Sequence, residues 1–503
     1  NLVWTLKVKP EKRLILLESE IKNTGKTERL LESGIKLKLK DVSGIKECWT
    51  GFGFNYPFGK KDFIRKGVKG SVEKHTGAST RPFPAAAVFG DKCALFAGGV
   101  PFDPVSYNAV GISKVKNGVS TMTYSIRNAV LPGASVKVRY TLGVVPKEFG
   151  GREAVVQAYY DSMPELWAPV VGQDNPYIWG AHGQYILWWK KPEYEVARRL
   201  YVTNEWTYCP YRRSGDMQVR KELWDYKPLG KGRKAYLMCG TKYNYQGMTR
   251  EKFLEMRRDI FRKYARKFGL MFYNSVIGTW CEAQLAKEKY PDAIVHDKSV
   301  PYYLRRWSTH HDHEVRVFPM GTSFAKAFEE DTAYVAKELD LPGFAFDCAY
   351  GGAYYRGPAT KKNLPGRAWD DKGVFIDQSV AINHIVDFTH NIIKTKNPAE
   401  KLVVFSNGYL KGDYIMVEEE ILGVAKYKEW MPLLRYHIGP RPATSHGHGF
   451  RLSKIITNWR EKTTEDFKKF LPKLADYVIF NEFKYGLITN HLIGHGNPQV
   501  VYC

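Results

Sequence analysis

The sequence predicts an antiparallel β-sandwich over residues 1–190 and a (β/α)8 TIM barrel over residues 234–503. The chain has 503 residues, more than one ordinary core accommodates. Short alternating apolar and polar runs dominate its first part, whereas apolar runs alternate with segments of helical period in its second part. A stretch rich in Trp and Tyr, residues 191–233, lies between them and is predicted to be an interdomain segment.

The β-sandwich prediction depends on runs such as "RLILLESEIKNTGKTERLLESGIKLKLKDVSG", "AAAVFG", "STMTYSIRNAV" and "SVKVRYTLGVVP". Apolar and polar residues alternate in them, and the runs end at Asn, Gly, Asp or Pro, as half-buried strands joined by turns do. This punctuation favours antiparallel over parallel pairing. Helical periodicity first occurs in "REAVVQAYYDSMPELW".

The barrel prediction depends on eight apolar runs: "KAYLMCG", "LMFYNSVIG", "VRVFPMG", "GFAFDCAY", "KLVVFSNG", "YIMVEEE", "LLRYHIG" and "YVIFNEF". Helix-like segments such as "TREKFLEMRRDIFRKYARKFG" and "TSFAKAFEEDTAYVAKELD" separate them. Strands that alternate with helices imply parallel strands, and eight such units in about 270 residues match a (β/α)8 barrel. An open doubly wound sheet is the alternative.

Polar residues stand where these runs end, and in a barrel the strand ends form one rim that carries the active site. Acids, amides and aromatic rings at one rim suit a polyhydroxylated substrate. The residues at these ends are Asn274, Asp347, Ser406, Asn407, Glu418, Glu419, Arg435, Tyr436, His437, Asn481 and Glu482. We predict substrate contacts for Asn274, Asn407, Arg435 and His437.

Asp347 follows a run too apolar to hold a carboxylate at low cost, so either a ligand or a capped loop explains it. The commonest glycosidase mechanism needs two carboxylates, and Glu418 ends the sixth run. Glu419 replaces it if the register is shifted by one, and Asp413 is a more distant candidate. The alternative for "EEE" is the solvated start of a helix.

The sequence resembles the α-galactosidase and α-glucosidase type of glycoside hydrolase. The resemblance is carried by a β-domain before a barrel, by "FAFD" at the fourth strand and by an acid near the end of the sixth. It implies that Asp347 is the nucleophile and Glu418 the general acid/base of a retaining hydrolase. Ala345 stands where this superfamily has Lys or Trp.

A long segment, "YYRGPATKKNLPGRAWDDKG", follows the fourth run and is expected to overhang the cleft. Trp369 and Asp370 could contact a sugar, and Arg356 and Arg367 could pair with a carboxylate or sulfate. An ordinary exposed loop is the alternative.

The charge balance of 76 Lys and Arg against 52 Asp and Glu gives a net charge of +24. This excess favours an anionic partner, here an anionic glycan, although a generally basic surface explains it equally well. The basic residues are spread along the chain, which disfavours a nucleic-acid partner. No apolar stretch is long enough for a membrane span.

Metal and cofactor sites are not predicted. "THHDHE" and "SHGHG" lack the spacing of a helical zinc motif, and "GFGFNYPFG" has no helix behind it. Seven widely spaced cysteines suggest neither a zinc ribbon nor a disulfide scaffold. Asn1 in place of Met indicates a trimmed chain, and we expect an extracellular or cell-surface location. The alternative function is a non-catalytic glycan-binding or surface-structural protein.

Overall fold

The computed structural model describes two sets of β-sheets, each with its own packed core. The described residues are 1–51, 55–66, 83–146, 151–184, 202–207, 211, 217, 219, 250–274, 280–296, 314–347, 353–394, 397, 399–407, 411–418, 438–446 and 490–492.

The N-terminal region forms two antiparallel sheets, as the alternating runs predict. Its strands are β1 (Leu2–Pro10), β2 (Ile15–Asn23), β3 (Arg29–Lys40), β4 (Ile45–Trp49), β5 (Tyr56–Pro57), β6 (Phe63–Lys66), β7 (Ala85–Gly90), β8 (Cys93–Gly99), β9 (Asn108–Ile112), β10 (Val119–Val130) and β11 (Ser135–Pro146). One sheet has the order β1-β2-β11-β8-β7-β4-β5, and the other has the order β3-β10-β9-β6.

Side-chain alternation packs these two sheets face to face. On β10, Met122, Tyr124 and Ile126 are buried, while the residues between them are partly exposed. They share one apolar cluster with residues of the larger sheet such as Val88 and Tyr140. The opposite face of the larger sheet packs against helix α1, Arg152–Ser162. The N-terminal region is therefore a sandwich with a helix on its outer side.

The C-terminal region is built on a sheet of eight parallel strands. The remaining strands among the described residues are β12 (Ala181–Gln184), β13 (Val202–Thr207), β14 (Leu270–Asn274), β15 (Trp280–Glu282), β16 (Glu314–Arg316), β17 (Gly343–Phe346), β18 (Tyr354–Tyr355), β19 (Ala368–Asp370), β20 (Gly373–Asp377), β21 (Val403–Asn407), β22 (Tyr414–Glu418), β23 (Ala443–His446) and β24 (Asn490–Leu492). The parallel sheet has the order β24-β12-β13-β14-β17-β21-β22-β23.

Helices separate several of these strands. They are α2 (Arg250–Phe268), α3 (Ala283–Lys289), α4 (Ser323–Glu338) and α5 (Gln378–Asn391), with short 3-10 turns at Pro164–Leu166, Pro291–Ala293 and Pro358–Lys361. The Thr322 hydroxyl accepts from the Ala325 N–H at the start of α4, and the Asp377 carboxylate accepts from the Ser379 N–H at the start of α5. These side chains satisfy backbone donors that a helix start leaves unpaired. No helix among the described residues is both long and apolar enough to cross a membrane.

The parallel sheet is strongly curved. His182 on β12 and Tyr414 on β22 are five strand positions apart, about 24 Å in a flat sheet, yet their ring centroids are 6.3 Å apart. Trp206 on β13 and Phe405 on β21 are likewise separated by 5.1 Å. The edge strands β23 and β24 have Cα atoms within 8 Å of each other. The sheet therefore curls until its two edges approach.

Curvature gives the parallel sheet an inner and an outer face. Alternate residues of its strands, such as Phe344, Phe346 and Val404, pack against the helices in one buried cluster. The residues between them, such as Ala345 and Phe405, form a second cluster inside the curve. Since strand residues alternate between faces, Asp347 and Asn407 continue the inner face beyond Ala345 and Phe405.

Four of the eight predicted strands, those in "LMFYN", "GFAF", "VVFSN" and "YIMVE", are confirmed in the parallel sheet. The prediction for "VRVFPMG" is wrong, because its strand β16 pairs antiparallel with β15 in a separate two-stranded sheet. "KAYLMCG", "YVIFNEF" and most of "LLRYHIG" lie outside the described residues.

The parallel sheet begins earlier in the chain than residue 234. Its strand β12 falls within the range predicted for the sandwich, and β13 falls within the predicted interdomain segment. Buried polar residues, His182, Asn204 and Glu205, interrupt the apolar pattern of these two strands. The apolar-run criterion therefore did not find them.

A carboxylate network joins α2 to α4 and gives the first testable prediction. Glu338 accepts hydrogen bonds from Tyr211, Arg258 and Arg262. Burial alone would raise the pKa of the Glu338 carboxyl, but these hydrogen bonds outweigh burial and hold the pKa below its usual value. The resulting stabilisation is present above the ordinary pKa of Glu, about 4.3, and is lost as the pH falls through the lowered pKa.

We expect Glu338→Gln to lower the free energy of unfolding at pH 7 by about 2 kcal/mol. Urea unfolding between pH 7 and about pH 3 measures it, and the difference from the unsubstituted chain should shrink below the ordinary pKa of Glu, about 4.3. Glu330→Gln on the same helix is the control, since Glu330 forms only an exposed contact with Lys326. A difference that does not change with pH would contradict this account.

Candidate functional site

The candidate site is centred on Asp347, at the carboxyl end of β17, which is the fourth strand of the parallel sheet in chain order. Asn407, at the end of the neighbouring strand β21, donates from Nδ2 to Asp347 Oδ1 over 2.6 Å. Asp347 is half-buried and Asn407 is buried. An amide N–H aimed at a carboxylate favours the ionised form and fixes its orientation. The structure thus brings together two of the predicted site residues.

Two further predicted residues end neighbouring strands. Glu418 is the last residue of β22, next to β21, and its backbone is in register with His446. Asn274 is the last residue of β14, and its backbone is in register with Phe346, just before Asp347. In sheet order, therefore, β14, β17, β21 and β22 present Asn274, Asp347, Asn407 and Glu418 at their carboxyl ends. Glu419, Arg435 and His437 lie outside the described residues.

The long segment after Asp347 lies against the sandwich. Arg367 is buried and donates to the carbonyls of Thr360 and Ala129 and to the carboxylate of Glu28. Trp369 donates from Nε1 to the Leu31 carbonyl over 3.0 Å. The Arg127 guanidinium lies 4.5 Å from the Trp369 ring centroid. These contacts show that Arg367 and Trp369 bind the two sheet systems together.

Arg356 and Asp370 pair with each other. Arg356 Nη2 donates to Asp370 Oδ2 over 2.7 Å, and its Nη1 donates to the Gly373 carbonyl. The guanidinium also lies 4.9 Å from the Phe375 ring centroid. Charge and stacking therefore hold this arginine within its own hairpin.

Asp413 lies at the other end of the sheet, just before β22 begins. Its Oδ1 accepts from the N–H groups of Val170 and Val171, and its Oδ2 accepts from Val404 N–H and from His390 Nε2. It is completely buried. These contacts make Asp413 an anchor for the chain that enters the parallel sheet, at the end opposite Asp347.

Residues of the first two strands were not predicted. His182 is buried inside the curve, where Nδ1 lies 2.6 Å from Asn204 Oδ1 and the ring lies 4.7 Å from that of Phe405. The polar residues of "AHGQ" and "VTNEWT" would have become candidates only if these segments had been recognised as strands. Their shortness and their polar residues prevented that.

Among the described residues, no three His, Cys, Asp or Glu side chains are placed together so that they could hold a metal ion. The segment "THHDHE", apart from its last residue, and the segment "SHGHG", apart from its first two residues, lie outside that part of the chain. The expectation of a metal-free site therefore stays a prediction.

Comparisons with known proteins give distant likenesses only. No family model and no curated protein matches the chain. An α-N-acetylgalactosaminidase from Bifidobacterium bifidum has 8% identity, covers 82% of this chain and 71% of its own, and has a TM-score of 0.39. An α-galactosidase from Thermus thermophilus in complex with stachyose has 9% identity, covers 88% and 72%, and has a TM-score of 0.30.

A mutant protein in complex with isomaltose has 11% identity, covers 87% of this chain and 58% of its own, and has a TM-score of 0.36. The chain spans about half the length of two further structures, 54% of one from Synechocystis and 46% of one from Klebsiella pneumoniae. The three structures that each cover most of the chain are glycoside hydrolases or hold a sugar, with TM-scores too low to establish a shared fold.

Proposed function

We propose that the protein is a retaining glycoside hydrolase whose curved sheet closes as a (β/α)8 barrel. Asp347 acts as the nucleophile and Glu418 as the general acid/base. The observation that carries the proposal is the Asp347–Asn407 hydrogen bond of 2.6 Å at the carboxyl ends of adjacent strands. It holds a half-buried carboxylate, on the inner face, at the edge where parallel barrels place their active sites.

The proposed mechanism has two displacements at the anomeric carbon. Asp347 attacks that carbon while Glu418 protonates the departing oxygen, which leaves a glycosyl ester on Asp347. Glu418 then removes a proton from water, and that water attacks the anomeric carbon, which breaks its bond to the Asp347 oxygen and restores the Asp347 carboxylate. The Asn407 amide holds Asp347 Oδ1 and so orients the carboxylate for attack. Glu418 receives its role because it ends β22 with the same strand parity as Tyr414 and Met416, which lie inside the curve.

The test is turnover of aryl α- and β-glycosides and natural polysaccharides by the purified chain, followed by proton NMR of the first product. We expect hydrolysis with retained anomeric configuration. An activated fluoroglycoside of the accepted sugar should then add one sugar mass to the peptide that contains Asp347. Inverted product, or a label on another carboxylate, would refute the assignment.

The second candidate function is glycan binding without catalysis. It is favoured because Arg356, Arg367, Trp369 and Asp370, which were predicted to contact a substrate, contact the sandwich or one another, so that fewer side chains are left for a catalytic cleft. A chain that binds polysaccharide but turns over none of the panel would support this alternative.

A further inference from the structure

The outer face of the four-stranded sheet carries a row of lysines without facing acids. Lys36, Lys38 and Lys40 alternate along β3 and are all exposed, because Leu37 and Leu39 between them turn into the sandwich. Across the sheet their register partners on β10 are Thr123, Thr121 and Val119. Alternate strand residues lie about 7 Å apart, so the row presents three charges at a regular spacing.

The other sheet of the same domain balances its lysines differently. Lys9 on β1 pairs with Glu18 over 2.6 Å, and Lys137 on β11 lies 4.0 Å from Glu20. Acids stand directly across from these lysines or beside them in the register. Among the register partners of the β3 row there is no such acid, so its three lysines differ from Lys9 and Lys137 in this respect.

The surface beside the β3 row is lined by small side chains, and Ile64 of β6 is exposed at its far edge. In its centre, Thr121, Thr123 and Ser125 carry hydroxyl groups, whereas Gly34, Ala109 and Gly111 have no polar side-chain atom. On the far edge, Lys66 of β6 is exposed and is in register with Ala109. The two edge strands are three strand positions apart, about 14 Å. Lysines thus stand on both sides of a strip of small side chains, three of which carry hydroxyl groups.

The acids nearest this strip are already engaged. Glu32 accepts from the Ser125 hydroxyl and from Arg127 Nε. Asp62 accepts from the Lys114 backbone N–H. At the end beside Glu32, the strip meets Trp369, which belongs to the segment that follows the strand of Asp347. The strip therefore runs outward from the seam between the two sheet systems.

We propose that this strip, defined by Lys36, Lys38, Lys40 and Lys66, binds an anionic polysaccharide. The proposal rests on the proposed function and adds a substrate class to it. Sulfate or carboxylate groups pair with the lysines, and sugar hydroxyls meet the small polar centre. Nucleic acid is disfavoured because, on the described strip between the β3 lysines and Lys66, no aromatic side chain is available to stack with bases.

The test measures calorimetric binding of dextran sulfate to the full chain, beside uncharged dextran and oligothymidylate. The variant combines Lys36→Thr, Lys38→Thr and Lys40→Thr. The matched control combines Lys9→Thr, Lys22→Thr and Lys137→Thr, which removes the same charge from exposed strand positions of the other sheet. We expect dextran sulfate to bind and the first variant to weaken that binding about tenfold, with a smaller effect in the control.

Three results would overturn the proposal. Equal losses in both variants would show that net charge alone attracts the polymer. Tighter binding of oligothymidylate, lost selectively in the first variant, would identify a nucleic-acid surface. No binding of dextran sulfate would leave the lysine row as a solvated face. Because the experiment measures binding, its outcome does not depend on whether Asp347 is a nucleophile. If the chain hydrolyses a glycoside but the lysine substitutions do not selectively weaken binding, this proposal fails and the hydrolase proposal stands.

Discussion

Replacement of Asp347 by Ala is expected to lower hydrolysis of the accepted glycoside by about 10⁴-fold or more. The carboxylate would form the covalent bond in the first displacement, and no described neighbour can replace it, since Asn407 supplies an amide. Steady-state turnover of an aryl glycoside with a good leaving group measures the effect. Azide should restore part of the rate, because a small anion can occupy the space that the carboxylate leaves.

The product of azide rescue distinguishes the two proposed carboxylates. With Asp347→Ala, azide attacks once and gives a glycosyl azide of inverted configuration. With Glu418→Ala, the ester on Asp347 forms first, so azide attack gives retained configuration. Asp259→Asn is the control, because that carboxylate is exposed on α2. Unchanged turnover by Asp347→Ala would refute its role, and equal configurations of the two azide products would refute the division of roles.

The position of Asp347 could be predicted from sequence because its strand is a short, fully buried apolar run followed by an acid. The same criterion located Asn407 and Glu418 at the ends of their strands. Asp347 does end the fourth strand of the observed sheet, although the count behind this prediction was different. The prediction missed β12 and β13, and it counted "VRVFPMG" wrongly and also "KAYLMCG", which lies outside the described residues, so the number four agrees only because omissions and additions offset each other. Local pattern therefore located the strand ends, and sheet order needed the structure.

The surroundings of the site could not be predicted because they depend on contacts distant in sequence. The contacts of Arg367 with Glu28 and Ala129 join residues more than 200 positions apart. Sequence shows that a loop carries Arg and Trp, but it does not show whether those side chains meet a ligand or another domain. The same limitation applies to Asp413, whose four partners come from three separate segments.

Asp413→Asn is expected to lower the free energy of unfolding by about 3 kcal/mol. Asp413 uses both oxygens as acceptors, each with two donors, and it is completely buried. An amide keeps the shape but turns one acceptor into a donor, which then faces N–H groups. The free energy of unfolding falls for two reasons. The amide places a buried donor where no acceptor faces it, and hydrogen bonds to a charged carboxylate are lost. Urea unfolding at pH 7 measures it.

A second readout separates this anchor from general destabilisation. Val170 and Val171 lie in the connection between the sandwich and the parallel sheet, and Asp413 holds both of their N–H groups. Limited proteolysis of Asp413→Asn should therefore cut first near residue 170 under conditions in which the unsubstituted chain stays intact. Asp387→Asn is the control, since its carboxylate is half exposed and pairs with Lys411. Among the described hydrogen bonds, Asp413 is the side-chain carboxylate that holds the N–H groups of Val170 and Val171. Early cleavage elsewhere, or an unchanged unfolding midpoint, would therefore contradict the anchoring role.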